Sequence, residues 1–156
     1  VNEFAIARAL HVLAVVLWIG GVAFVTTVLL PAVRRSYAAK DRLAFFERIE
    51  RRFAWQARFT TLLGGVTGFW MTQRFGLWPR FAEPGFWWMH AMVVVWVIFT
   101  LMLFVLEPLV LHRWLDRRAA RDAEGTFALV ERLHRALLAL SAIALLGAVA
   151  GAHGWL

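Results

Sequence analysis

Between Arg8 and Arg34 the chain carries no charged side chain, and the same holds between Glu83 and Glu107 and from Ala136 onward. Each of these runs matches the roughly 20 apolar residues that a helix needs to cross a hydrocarbon core of about 30 Å. No water is available there to satisfy backbone N–H and C=O groups, so such a run must fold as a helix. This one feature makes the chain an all-α integral membrane protein before any finer pattern is read. At 62% hydrophobic and 17% charged, its 156 residues leave no room for a separate soluble domain, so any chemistry must sit within or beside the helices.

The runs predict a single transmembrane domain over residues 1–156, with spans at about 4–30, 55–73, 86–111 and 134–155. The first reads as a retained helix rather than a cleaved signal, because it continues to about residue 30 without a small-residue cleavage site. Pro31 is expected to close it. Leu43, Phe46, Ile49 and Phe53 then recur at three- and four-residue steps among Arg42, Arg48, Arg51 and Arg52. That spacing predicts an amphipathic interfacial helix over 36–58, lying on the membrane between spans one and two. In the second span Gly64, Gly65 and Gly68 permit close approach of helix backbones. Residues 74–85 read as an aromatic loop interrupted by prolines and glycines, and residues 112–125 as a charged linker.

Orientation follows from the cationic residues. Residues 34–58 hold eight Lys and Arg, residues 113–135 hold six, and the loop after the second span holds two. The positive-inside rule then gives an up-down-up-down four-helix bundle with both termini outside, which in a bacterium places them in the periplasm. The net charge of +7 accordingly reports topology and contact with anionic lipid; no groove-reading motif accompanies it, and no nucleic-acid partner is expected. Trp78, Trp87, Trp88 and Trp155 would form the outer aromatic belt, with Trp55 and Trp114 at the inner one. With no cysteine in the chain, disulfides, thiolate metal sites, thiol catalysis and covalent c-type haem are all excluded. No Ser/His/Asp constellation, phosphate loop or HExxH is present, so hydrolytic and nucleotide chemistry have no support.

What remains is histidine. His11 interrupts the first span, and a polar ring in hydrocarbon is costly enough to be a functional hypothesis in its own right. His11 lies about 10 Å from the outer end of its span, His90 about 6 Å and His153 about 5 Å. The first and third spans also resemble each other: His11 precedes Pro31 in Leu29-Leu-Pro-Ala-Val33, and His90 precedes Pro108 in Leu106-Glu-Pro-Leu-Val110. Read as parallel repeats, the two put His11 and His90 at similar depth on facing walls. Two facing imidazoles can bind the axial positions of a b-type haem, with Arg8 one turn outward of His11 as propionate partner and Arg74 or Arg80 as second choices. The same region also reads as a copper site of His11, Met89, His90, Met92 and His153, because thioether and imidazole ligands suit Cu(I). Met71 ends the second span nearby. For the methionines, packing of irregular space is the favoured account. At the other end, His112 and His134 are candidates for a second haem. Glu107 reads as a helix-end carboxylate paired with Arg58, Arg132 or Arg135, or else as a proton relay.

The opening Arg8-Ala-Leu-His-Val-Leu-Ala-Val-Val-Leu-Trp-Ile-Gly-Gly21 and Leu29-Leu-Pro31 resemble the first helix of the copper resistance protein D (CopD) family of bacterial inner-membrane proteins, and of the related HemJ-type haem-biosynthesis proteins. The copper family implies metal handling at the periplasmic side. The HemJ type implies b-type haem near the first-helix histidine, here His11. HemJ-type proteins pair that histidine with an intramembrane lysine, whereas the single lysine here is Lys40 in a basic connection, so protoporphyrinogen oxidation is disfavoured. The sequence reading is therefore a haem b protein of the inner membrane, ligated by His11 and His90. It transfers electrons between a quinone or small oxidant and a periplasmic redox partner. A copper delivery protein and a cofactor-free assembly subunit are the competing classes. Spacings at Gly64/Gly68 and Gly147/Gly151 also permit a homodimer.

Overall fold

Four long helices account for nearly the whole chain: α1 (Glu3–Ser36), α2 (Ala39–Arg74), α3 (Pro84–Ala119) and α4 (Ala123–Ala152). The computed structural model describes residues 2–155, so Val1 and Leu156, the ends of the expected domain, lie outside the described residues. Every regular element among the described residues is helical. The Asn2 side chain accepts the Ala5 N–H at 3.3 Å and the Asp122 side chain accepts the Gly125 N–H at 2.8 Å, which caps the first turns of α1 and α4.

Neither proline ends its helix. α1 runs through Pro31 to Ser36 because residues Val25–Leu29 widen into a π turn, in which the Leu30 N–H reaches back to Val25 O. Proline lacks an N–H and its ring clashes with the carbonyl four residues back; a wider turn moves that carbonyl aside. The same device recurs around Pro108, inside the π-helical segment Met102–Leu111. The repeated Leu-x-Pro pattern thus marks two matching backbone irregularities, and the third helix continues to Ala119 through most of the expected linker.

The interfacial helix and the second span are one element. α2 is a 36-residue helix with no break between its arginine-rich first half and its apolar second half. The aromatic segment after α2 forms a short 3₁₀ turn, Trp78–Ala82, and α3 opens on a second, Pro84–Phe86.

α1 packs chiefly on α2, and α3 on α4. Along α1, Ala14 meets Gly64, His11 meets Gly68, and Glu3 approaches Arg74. The pairs join through two apolar clusters. One gathers Trp18 and Val22 of α1, Val95 and Phe99 of α3 and Ala144 of α4, with Trp18 and Phe99 edge to face at 4.8 Å. The other, near the arginine-rich end, gathers Val25, Leu30, Val33, Leu43, Phe46, Leu115, Phe127 and Val130. Outside them the helices expose large apolar side chains such as Val16, Val66, Val94 and Leu146, a surface suited to lipid rather than water. α1, α3 and α4 are each long and apolar enough to cross a bilayer, so the chain is a multi-pass membrane protein. α2 is as long, but its charge-free part is confined to residues 59–73.

Candidate functional site

The seam between α1 and α2 fixes the orientation of His11. Its Nδ1 lies 2.9 Å from Gly64 O and 3.0 Å from Thr67 Oγ1. A carbonyl only accepts, so Nδ1 carries the hydrogen and donates it across to α2. The Thr67 hydroxyl uses its own hydrogen on Leu63 O at 2.6 Å, which leaves its oxygen free to accept from His11. Nε2 of this tautomer is a lone pair. Gly68 makes room for the ring: a Cβ there would stand 3.2 Å from His11 Cε1. A ring nitrogen held by a carbonyl while the other is left as a donor of electrons is the arrangement that metal-ligating histidines adopt.

His90 is placed differently. It is exposed, on the same side of α3 as Val94, Val97 and Leu101, and packs edge to face on Phe81 at 5.2 Å. The inward side of α3 carries Met89, which is buried, and Met92, which packs against the Trp18–Phe99 cluster. The structure therefore brings the methionines, not His90, to the interior. Periodicity explains the difference: residues 90, 94, 97 and 101 share one helical face, and 89, 92, 96 and 99 another. A depth estimate says nothing about which face a residue occupies.

The remaining candidates are dispersed. Arg8 is exposed one turn nearer the N-terminus than His11. Arg74 is 3.8 Å from Glu3 at the surface, and Arg80 lies over the Phe86 ring at 5.0 Å. Exposed His153 donates to Val149 O at 2.8 Å in its own helix. Met71 is half-buried on α2. At the arginine-rich end, His112 and His134 each face carboxylates: His112 Nδ1 lies 3.4 Å from Glu47 and His134 Nε2 lies 3.9 Å from Glu50. Glu107 pairs with Arg58 at 3.1 Å, one of the partners expected for a helix-end carboxylate. Among the described residues no three His, Asp or Glu side chains converge to hold a metal.

Residue by residue, the donor chemistry at His11 fits an axial imidazole. The position of His90 does not fit a second ligand to the same group from within this chain. Sequence reasoning passed over Thr67, whose hydroxyl orients His11, and Glu47 and Glu50, which were submerged in the count of basic residues around them. Their three-residue spacing in an amphipathic stretch was the available signal.

The chain matches no protein-family model, no curated protein and no solved structure.

Proposed function

We propose that the protein is a b-type haem protein of a bacterial inner membrane, with His11 as an axial imidazole and a role in electron transfer at the periplasmic side. The observation that carries this reading is the locked tautomer of His11. Its Nδ1–H is committed to Gly64 O and Thr67 Oγ1 across a helix seam, so Nε2 is left as a lone pair able to act as a ligand. Haem, when bound, supplies reversible one-electron chemistry at iron, tuned by axial ligand and burial. This chain's own residues bind and orient: Gly64 and Thr67 set the ring, and Gly68 leaves it space. The resemblance of residues 8–31 to the HemJ-type first helix supports the same assignment. A quinone and a periplasmic redox protein are the partner classes that suit it.

The reading adopts four crossings in an up-down-up-down order with both termini outside. The arginine count supports that orientation. Support for α2 as a crossing comes from its register, since Arg74 to Phe53 lie beside Glu3 to Gly21 of a membrane-length helix.

One spectrum of purified protein tests the proposal. Protein made in haem-replete cells is expected to show a Soret band and sharp reduced α and β bands, lost in His11→Ala and kept in His90→Ala. Absence of the bands, or a native spectrum in His11→Ala, overturns it. Copper is a second reading because Met89 and Met92 lie on the inward side of α3. That reading expects copper stoichiometry to fall in a Met89→Leu/Met92→Leu double variant.

A further inference from the structure

The arginine-rich end holds a set of titratable groups that the haem reading leaves unused. Glu47 and Glu50 come from α2, Glu107 and His112 from α3, and His134 from α4. His134 decides their chemistry. Its Nδ1 lies 2.9 Å from Val130 O, an acceptor, so Nδ1 holds the hydrogen of the neutral ring. Nε2 is then a lone pair, and it faces Glu50 Oε1 at 3.9 Å. Two acceptors facing each other repel unless a proton lies on one of them. His112 repeats the pattern as a bridge, with Nδ1 3.4 Å from Glu47 Oε1 and Nε2 3.9 Å from Glu107 Oε1. Arg58 compensates Glu107, at 3.1 Å, and also donates to Leu103 O at 3.0 Å. Arg51 and Asp116 act on the charge of Glu47 from α2 and α3.

We propose that this cluster is a proton-binding site in which one exchangeable proton resides on the Glu50 carboxyl, facing the lone pair of His134 Nε2, supplied from the aqueous face that borders residues 34–58. The side chains meet in pairs rather than around one point, which suits a proton and not a metal ion. A groove of about 380 Å³ lined by Ala44, Glu47, Arg48 and Arg51 opens beside Glu47, one member of the cluster. Burial, with Glu107 and Glu47 adding repulsion, pushes the Glu50 carboxyl up to about 8. Burial also raises Glu47, against the opposing hydrogen bond from His112.

Infrared difference titration of the full chain in lipid nanodiscs reads the proton directly. A carboxylic-acid C=O band is expected at neutral pH, titrating with a midpoint near 8, absent in Glu50→Gln and shifted to lower pH in Glu107→Gln. No such band at neutral pH, or one that persists unchanged in Glu50→Gln, overturns the proposal. Should Glu50→Gln fail to fold, an unshifted midpoint in Glu107→Gln overturns it instead. Stability supplies a second readout. An acid raised from 4.5 to about 8 on folding binds more protons folded than unfolded, so its contribution is full below pH 4.5 and is lost as pH rises through 8. Glu50→Gln is expected to flatten that fall, and an unchanged slope counts against the site. The band is independent of His11, so its presence in a His11→Ala background separates this proposal from the haem reading.

Discussion

His11 differs from His134 and His153 in where its ring hydrogen goes. His134 and His153 donate to the carbonyl four residues back in their own helix, whereas His11 donates across to α2. Its orientation therefore depends on the α1–α2 seam, and Thr67 is the side chain through which that dependence can be tested. Thr67→Val removes the hydroxyl contact and is expected to cost about 1 kcal/mol in reversible unfolding. Thr61 is the control. It is fully buried and its Oγ1 has no hydrogen-bond partner, so Thr61→Val, which swaps an unsatisfied hydroxyl for a methyl group, is expected to leave stability unchanged or raise it. Equal losses in the two variants would remove the hydrogen bond as the cause. That His11 is special was legible in the sequence, because hydrocarbon makes any imidazole conspicuous. Its partner was not, because the carbonyl of a glycine has no side-chain signature.

At the level of elements, the number and order of long helices were legible from the apolar runs, and their ends were not. Proline at position 31 reads as a stop on local rules, yet a π turn absorbs it and α1 continues to Ser36. Likewise the change of character near Arg58 reads as a boundary between an interfacial helix and a span. The backbone of a helix does not register which solvent its side chains face, so α2 runs through. Close packing, by contrast, was written in the glycines. A Cβ at Gly147 would stand 3.0 Å from Trp88 Cβ and 2.7 Å from the Trp87 ring, and the former cannot yield without moving α3. Gly20 has nothing within 4 Å of such a Cβ. Gly20→Ala is expected to gain roughly 0.5–1 kcal/mol from helix propensity. Gly147→Ala is expected to lose roughly 1–2 kcal/mol, as overpacking at the α3–α4 seam exceeds that gain. Unfolding of both variants in the same detergent compares them, and a stabilised Gly147→Ala would show the seam to be loose.

Across the whole molecule, charge is gathered at one end and tied into the fold there. Arg34 grips Glu131 through Nε at 3.0 Å and Nη2 at 2.8 Å and reaches Glu124 at 2.7 Å, Arg42 joins the same Glu124, and both guanidinium groups lie over the buried Phe127 ring. These pairs link α1, α2 and α4 above the cluster of Leu30, Phe46 and Phe127, so the basic residues of this end close the base of the bundle. Three of the helices have the length and apolarity to cross, and α2 decides the topology: with it the crossings number four, and without it Lys40 and Glu83 would share one side. The chain has no cysteine, which makes single thiols informative. Asn2→Cys, Lys40→Cys, Glu83→Cys and Arg121→Cys each place one on an exposed residue at a helix end or turn. In intact bacterial cells a membrane-impermeant thiol reagent is expected to label positions 2 and 83, and to label 40 and 121 only after permeabilisation. Labelling of 40 together with 83 would lay α2 along one face of the membrane. The arginine-rich end would then be held to lipid by α2 itself, and His11 would lose the membrane-embedded neighbour that sets its ring.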